Sequence, residues 1–282
     1  MRRTAGLALI LAGAFLLVVS LVGDRTDAGR YVNLPPRSWE RFDPVLASRT
    51  PDLESLYRAA QGRAGRNLRE MQPQEAMDHL YGAVSDRFTH GDRAKYNLFS
   101  NWILWAAGTV SPRRRYMQDP DALLRNGHSA MCGETSYILL RLAGMAGIPS
   151  RHVHMNGHIV MEARFSDRWH AYDPDFEVLV RDGSGKILSV AEAAAAPGLL
   201  QRAYAGRGPS TQTESVLTIY TNTGDDMYVS YPPKSFFSPV GHWPGRVEQA
   251  AKLARYPVPA ALMAAGALLA RPGRPRKGRP RR

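Results

Sequence analysis

The stretch "SAMCGETSYILLRLAGMAGIPSRHV", residues 129–153, contains the change of periodicity that decides the fold. Ile138, Leu142 and Met145 recur at helical spacing, and Gly147 followed by Pro149 is typical of a helix end. From Ser150 onward, apolar and polar residues alternate as they do in a strand. The sequence therefore predicts a helix that begins near Cys132 and leads directly into a sheet.

Two further strands are predicted after this one. In "GHIVMEARF", residues 157–165, alternate residues from Ile159 to Phe165 are apolar, and "SDR", residues 166–168, is a predicted turn. "WHAYDPDFEVLV", residues 169–180, then continues as a strand. Strands joined by so short a turn run antiparallel. The predicted fold class is α+β, with the helix that carries Cys132 packed on an antiparallel sheet.

The formal net charge of +12 is concentrated at the two ends of the chain. Residues 271–282 hold seven Lys or Arg and no acid, and they are predicted to form a disordered basic tail. Because the middle of the chain is only mildly basic, the charge does not indicate a nucleic-acid partner.

Residues 6–23 carry no charge and are nearly all apolar. As a helix rising about 1.5 Å per residue they would just cross a bilayer. Arg2 and Arg3 precede the run, which predicts a cytoplasmic N-terminus and export of the body of the chain. Residues 1–24 are predicted to be an uncleaved anchor, with a cleaved signal as the alternative. Residues 258–270 are apolar but short, so a second membrane segment and a surface helix both stay open.

The remaining divisions follow from composition and periodicity. Residues 25–75 are predicted to form a stalk and an N-terminal helix, and residues 76–205 the core. Residues 206–257 are predicted to form an extension that contains two more short strands. Within the core, Asp119 before Pro120 and the pair Asn126-Gly127 mark the start and end of a further helix.

Cys132 is the only cysteine in the chain. In an oxidising compartment structural cysteines come in pairs, so an exported lone thiol is inert, joined to another chain, or chemically useful. The partial positive charge at a helix start favours the reactive thiolate, and the Cys132 N–H could face a developing oxyanion. His158 and Asp173, on predicted neighbouring strands, could supply a base and the carboxylate that orients it.

The blocks "CGETSYILLRLAGMAGIPSRHV", "GHIVMEA" and "WHAYDPD" resemble the core of the transglutaminase-like superfamily, over roughly residues 76–180. The shared features are a Cys at a helix start, a helix ending in G-I-P-x-R, a His opening a strand, and an aromatic residue before Asp-Pro. The resemblance implies a papain-like fold with Cys132 as nucleophile, His158 as general base and acid, and Asp173 as orienting carboxylate. Gly133 and Val160 stand where many members have aromatic residues, which leaves substrate preference open.

The approach of His158 to Asp173 does not follow from spacing. A turn centred near Asp167 puts Asp173 across from residue 161 or 162, three or four residues from His158. A bulge, strand twist or shifted turn is therefore expected to bring the pair together.

Other residues are predicted near the cleft. The candidates for lining it are Asn101, Trp102, Gly133, His170 and Tyr172. Asp175 and Glu162 are weaker candidates for the acid, and His128 is expected to be a loop residue.

The predicted reaction is acyl transfer from a protein or peptide amide of the cell envelope, by hydrolysis or by transfer to an amine, through a thioester. Hydrolysis is favoured because water is always present. The domain is expected to be membrane-anchored and extracytoplasmic, and to need no cofactor and no metal. Two alternatives stay open. One is a catalytically silent binding or scaffold module of the same fold, tied to envelope or surface polysaccharide assembly. The other is a zinc hydrolase that uses His152, His154 and His158 from one strand face.

Overall fold

The computed structural model describes residues 1–208, 210–230 and 243–271. They divide into two units. The core unit comprises residues 30–95 and 116–246, and the helical unit comprises residues 1–29, 96–115 and those from 247 onward.

Most of the chain is helical, and most of the strands lie in its second half. The helices are α1 (Arg2–Arg25), α2 (Pro44–Arg49), α3 (Leu53–Ala64), α4 (Pro73–Arg87), α5 (Leu98–Val110), α6 (Pro120–Asn126), α7 (Cys132–Met145), α8 (Val190–Ala194), α9 (Pro197–Tyr204), α10 (Ser210–Thr221), α11 (Trp243–Ala254) and α12 (Pro257–Ala270). The strands are β1 (Thr89–His90), β2 (Ser129–Ala130), β3 (Ser150–Met155), β4 (His158–Phe165), β5 (Arg168–Tyr172) and β6 (Met227–Val229).

The larger sheet of the core unit has the strand order β5-β4-β3-β6, and its neighbouring strands are antiparallel. Two tight turns set its register. Asn156-Gly157 joins β3 to β4, with Gly157 at φ +109°, and Ser166-Asp167 joins β4 to β5, with φ of 50° and 57°. Positive φ at both residues of the second turn is typical of a type I′ hairpin. Helices and an antiparallel sheet in one unit confirm the α+β prediction.

The two faces of this sheet are covered by different parts of the chain. On one face α7 packs against β3 and β4, where the Ser136 hydroxyl donates to the Ile159 carbonyl at 3.1 Å. On the other, Val153 and Val160 join a buried cluster with side chains from α8, α9 and α10. The helix that carries Cys132 therefore packs on an antiparallel sheet, as predicted.

Local signals place the ends of α7 where the sequence predicts them. At the start, the Met131 N–H donates to Glu134 Oε2 at 2.7 Å, which satisfies one of the unpaired groups of the first turn. At the end, Gly147 has φ +79° and the Ile148 N–H donates to the Ala143 carbonyl at 2.9 Å. The caps of α6 also agree with the prediction, because Asp119 accepts from the Ala122 N–H at 2.8 Å.

The segment predicted as a stalk is part of the core unit from residue 30 onward. Asn33 Oδ1 accepts from the N–H groups of His128 and Ser129 at 2.6 and 3.0 Å. Arg41 Nε lies 2.9 Å from Glu177 Oε2. These long-range bonds hold a Pro-rich, irregular segment against the core, and no local periodicity could have shown them.

The predicted C-terminal strands are only partly present. The residues from 210 to 221 form a helix, and β6 is a single short strand paired with β3. Val216 and Tyr220 are both buried and lie four residues apart, which is helical spacing. The rest of the predicted strand region, residues 231–237, lies outside the described residues.

In the helical unit, α1 and α12 pack antiparallel. A Cβ built on Gly6 would lie 2.6 Å from the Gly266 carbonyl oxygen, and one on Gly13 would lie 2.6 Å from the Pro259 carbonyl oxygen. Glycine at these positions allows the two backbones to approach closely. The side chains on the outer side of the pair are apolar and exposed, and they include Leu7, Leu11, Phe15 and Leu268.

Within the described ranges, one helix, α1, is long and apolar enough to cross a membrane. Residues 247–254 and α12 meet the same test jointly, with a bend of 48° between them. The apolar segment predicted at residues 258–270 is therefore a helix that packs on α1, and it begins at Pro257.

Candidate active site

Cys132 is the first residue of α7 and lies in the wall of a cavity of about 700 Å³ in the core unit. The cavity wall also contains Gly133, His158 and Ile159. Cys132 is half-buried, whereas His158 and Asp173 are only 4% and 2% exposed. Of these three residues, Cys132 is therefore the most exposed.

His158 and Asp173 form a buried pair, with His158 Nε2 2.7 Å from Asp173 Oδ2. The Cys132 sulfur lies within 4.8 Å of a ring nitrogen of His158. Burial alone would lower the pKa of His158, but the Asp173 carboxylate and then the Cys132 sulfur hold it well above its usual value. Burial likewise opposes ionisation of Asp173, and His158 nonetheless keeps the pKa of that carboxyl below its usual value.

A shifted turn brings this pair together without a bulge. Because the turn is Ser166-Asp167, Met161 lies opposite Tyr172, so the next position, Asp173, faces residue 160. His158 is then the diagonal neighbour of Asp173, a separation that long side chains span. The predicted position of Asp173, opposite residue 161 or 162, was wrong because the turn centre lies half a residue earlier than expected.

Asp173 is held by several donors. The Tyr204 hydroxyl donates to its Oδ2 at 2.6 Å, and the Asp175 and Phe176 N–H groups donate to its Oδ1 at 3.1 and 3.2 Å. The Tyr204 and Tyr220 hydroxyls lie 3.0 Å apart. Both tyrosines come from helices far along the chain, and no sequence motif marked them.

A second buried His–Asp pair adjoins the first. His90 Nδ1 lies 2.9 Å from Asp175 Oδ1, and a carboxylate oxygen of Asp175 lies within 4.8 Å of both the Cys132 sulfur and a ring nitrogen of His158. Burial raises the pKa of Asp175, although His90 acts in the opposite direction. Asp175 was a weaker acid candidate from sequence, and His90, on β1, was missed.

Glu134 lies in the cavity wall beside Cys132. Its Oε2 accepts the Met131 N–H, and its Oε1 has no hydrogen-bond partner within the described part of the chain. Arg93 Nε is 3.9 Å from that Oε1. Burial raises the pKa of Glu134 to about 7.

The helix start also offers a donor for an oxyanion. The N–H of Cys132 occupies the first helical position, where no carbonyl of the same helix can accept it. Among the described residues no backbone carbonyl accepts a hydrogen bond from this N–H.

The other predicted cleft residues have different surroundings. Gly133 lies in the cavity wall, but His170 and Tyr172 are not among the described lining residues. The ring nitrogens of His170 lie 2.9 and 3.3 Å from the carbonyl oxygens of Ile187 and Phe165. Tyr172 is buried, and its ring packs on that of Tyr81 with centroids 5.7 Å apart. Both are core residues of the sheet.

Asn101 and Trp102 belong to α5 in the helical unit. Asn101 has an extended conformation inside α5, and its Oδ1 accepts from the N–H groups of Ile103 and Leu104 at 3.1 and 3.2 Å. Trp102 Nε1 donates to the Arg255 carbonyl at 3.4 Å. These contacts cap and pack a broken helix, which accounts for both side chains.

The three histidines of the zinc alternative do not share a face. His152 and His154 lie on β3 and pair with Met161 and Ile159, whereas His158 opens β4 opposite Met155. Because the two-residue turn at Asn156-Gly157 interrupts the strand, His158 points to the opposite face of the sheet. The predicted face-sharing was wrong, since it assumed one continuous strand.

Glu162 and His128 have structural partners. Glu162 accepts from Arg151 Nη2 at 2.7 Å and from the Val190 N–H at 2.8 Å. The His128 ring stacks on Phe42 with centroids 4.5 Å apart.

No protein-family model, curated protein or solved structure matched the chain.

Proposed function

We propose that the protein is a cysteine-nucleophile acyl-transfer enzyme with a papain-like, transglutaminase-like core. The observation that carries the proposal is the arrangement at the start of α7. An accessible Cys132 sulfur lies within 4.8 Å of a His158 ring nitrogen, and that ring is 2.7 Å from the buried Asp173 carboxylate. Nucleophile, base and orienting group in this order are what covalent acyl transfer requires.

The first half of the reaction forms a thioester. The Cys132 thiolate attacks the carbonyl carbon of an amide, and the oxygen of the tetrahedral intermediate accepts the Cys132 N–H. The protonated ring of His158 then gives its proton to the nitrogen of the leaving amine as the C–N bond breaks. The released amine leaves a neutral His158 beside the thioester.

The second half regenerates the thiol. Water attacks the thioester carbonyl while His158 takes its proton, and the C–S bond breaks to give a carboxylic acid and the Cys132 thiolate. An amine in place of water would give a new amide. We favour hydrolysis, since water always has access to a half-buried sulfur.

The lining of the cavity bears on the class of substrate. Five apolar side chains, Met117, Met131, Met155, Ile159 and Met227, lie in its wall together with polar and charged groups that include Asn156, Arg93 and Glu134. A cavity of about 700 Å³ with this lining suits a peptide-sized group with an apolar side chain beside the reactive amide.

The location proposed for the enzyme is the outer side of a membrane, with α1 as its anchor. Arg2 and Arg3 at the start of α1 favour a cytoplasmic N-terminus, and this supports an extracytoplasmic core unit. The substrate would then be an envelope protein or peptide.

The test is active-site labelling of the purified full-length chain with iodoacetamide below pH 7 and with a thiol-reactive acyl probe. Wild type should react at Cys132, and Cys132→Ala should not. His158→Ala should lose most of the labelling rate, because the imidazolium partner of the thiolate is gone. His79→Ala, a half-buried histidine of α4 outside the cavity lining, is the matched control.

Equal and slow labelling of wild type and His158→Ala would refute the proposed nucleophile. The chain would then be a silent binding module of the same fold, which is the alternative that the sequence leaves open.

A further inference from the structure

The reaction proposed above leaves Asp175 without a role. Its carboxylate, the Cys132 sulfur and a His158 nitrogen lie within 4.8 Å of one another. In the described residues this is the one group of three or more His, Cys, Asp or Glu side chains with such spacing. A triad needs the sulfur and the imidazole, but it does not need a second carboxylate at the nucleophile.

The three side chains are a suitable donor set for zinc. Thiolate, imidazole and carboxylate are the ligands that Zn²⁺ takes in proteins, in a tetrahedron with bonds of about 2.0–2.3 Å. Donor atoms already within 4.8 Å of one another need only modest side-chain rotation to reach that geometry. Since Cys132 lies in the cavity wall, the fourth position would face the cavity.

The imidazole and the carboxylate already have the outer partners that metal ligands usually have. His158 has its Nε2 on Asp173 at 2.7 Å, which fixes the ring and leaves Nδ1 for an ion. Asp175 Oδ1 lies 2.9 Å from His90 Nδ1, which leaves Oδ2 to bind an ion. Outer-shell bonds of this kind orient metal ligands and contribute to affinity.

The charges of the site favour a cation. Asp173 and Asp175 are 2% and 5% exposed and lie two residues apart, and the reactive form of Cys132 adds a third negative group. The His158 ring lies on Asp173, the His90 ring lies on Asp175, and Arg93 in the cavity wall lies 3.9 Å from Glu134. Buried like charges at such distances repel strongly, and a divalent ion between the thiolate and Asp175 would relieve this repulsion.

We propose that Cys132, His158 and Asp175 form a zinc site in which the ion is an inhibitor. The ion binds the Cys132 thiolate and Nδ1 of His158, whose proton is released to solvent, so neither group can act on an amide while the ion is bound. The metal-binding part stands without the proposed function, and only the inhibition rests on it. This differs from the sequence expectation that the chain needs no metal, since the ion here suppresses the reaction.

Cobalt is the probe, because Co²⁺ adopts zinc geometry and its spectrum reports its ligands. Titration of the metal-free full-length protein with Co²⁺ should give one bound ion, with visible bands and a thiolate-to-cobalt band. Zn²⁺ should abolish these bands by displacement. Asp175→Asn should weaken Co²⁺ binding by about 10–100-fold, and Cys132→Ser should remove the thiolate band.

Asp182→Asn is the matched control, because Asp182 is a partly exposed turn carboxylate that accepts hydrogen bonds from Ser184 and Lys186 of its own loop and is not a predicted ligand. Circular dichroism checks that each variant folds. If Asp175→Asn fails to fold, His90→Gln replaces it, and about 10–100-fold weaker binding is again expected. A wild-type cobalt spectrum without a thiolate band, or wild-type affinity in the folded test variant, would overturn the inference.

Alkylation separates this proposal from the previous one. Iodoacetamide labelling of wild type should stop when Zn²⁺ is added and resume when a chelator removes it. Labelling that Zn²⁺ does not affect would overturn the zinc site and leave the acyl-transfer proposal standing. Cobalt binding with the thiolate band, but without labelling that depends on His158, would overturn the acyl-transfer proposal and leave the zinc site standing.

Discussion

Substituting Tyr204 by Phe tests the support of the Asp173 carboxylate with little change of shape. The hydroxyl donates to Asp173 Oδ2 at 2.6 Å in a site where Tyr204 is 1% exposed. A hydrogen bond to a charged group contributes about 1.5–3 kcal/mol, and Tyr204→Phe leaves no cavity to add to this. We therefore expect the free energy of unfolding to fall by about that amount at neutral pH.

The loss should depend on pH in a defined direction. The pKa of Asp173 is lower in the folded protein than its usual value, chiefly because His158 outweighs the effect of burial. Its ionised form therefore stabilises the fold above the unfolded-state pKa, and this contribution disappears as the pH falls through the folded-state pKa. The difference between wild type and Tyr204→Phe should shrink over the same acidic range, since the bond to the ionised carboxylate is lost in both.

The assay is thermal or denaturant unfolding of the full-length chain, followed by circular dichroism at a series of pH values. Tyr220→Phe is the control, because the Tyr220 hydroxyl is bonded to Tyr204 at 3.0 Å and not to Asp173. Loss of this neutral bond should cost only about 0.5–1.5 kcal/mol and should vary little with pH. Equal losses in the two variants, or a Tyr204→Phe loss that does not change with pH, would refute the reasoning.

Three further predictions concern other parts of the molecule. Cys132→Ala should abolish acyl-probe labelling and change the melting temperature little, because Cys132 is half-buried and is not the N-cap residue of α7. A large drop in melting temperature would indicate a structural role for Cys132. As the pH rises from 4.5 to 7, wild type should lose stability, because burial raises the pKa of Glu134 to about 7 and Glu134 ionises over this range more readily in the unfolded chain than in the folded one. In unfolding measurements across that range, Glu134→Gln should show a smaller loss. Gly6→Val should destabilise the α1–α12 pair in thermal unfolding, since its Cβ would lie 2.6 Å from the Gly266 carbonyl oxygen. Gly82→Ala, with open space at the Cβ position in α4, should be tolerated or stabilising, and similar losses in both variants would count against close helix packing.

The sequence predicts those parts of the fold that depend on neighbours in the chain. The helix from Cys132, its end at Gly147 and the strands after it are set by local periodicity and by turn residues. A one-residue difference in a turn has larger effects, because side chains alternate across a strand. The turn at Asn156-Gly157 puts His158 and His152 on opposite faces of the sheet, although both line the cavity, and the turn at Ser166-Asp167 brings His158 diagonal to Asp173.

The features that the sequence did not predict come from long-range packing. His90 reaches Asp175 from a strand 85 residues earlier, and Tyr204 reaches Asp173 from 31 residues later. Neither residue lies in a recognisable motif, and each is placed by the burial of its own element. Tyr220 illustrates the same limit, since its helix was predicted as a strand and only the packing of Val216 and Tyr220 reveals the helical spacing.

The glycine contacts between α1 and α12 bear on the effect that proteolytic removal of α1 would have. The carbonyl oxygens of Gly266 and Pro259 on α12 pack against Gly6 and Gly13 of α1, which have no side chains. A signal peptidase that removed α1 would therefore remove the helix against which α12 packs. Cleavage after residue 23 would leave the apolar helix α12 with its α1-facing surface exposed. The two helices also run in opposite directions, which brings Gly6 next to Ala270 and the charged ends of both helices to one side. Reporter fusions placed directly before α1 and directly after α12 should therefore give the same compartment.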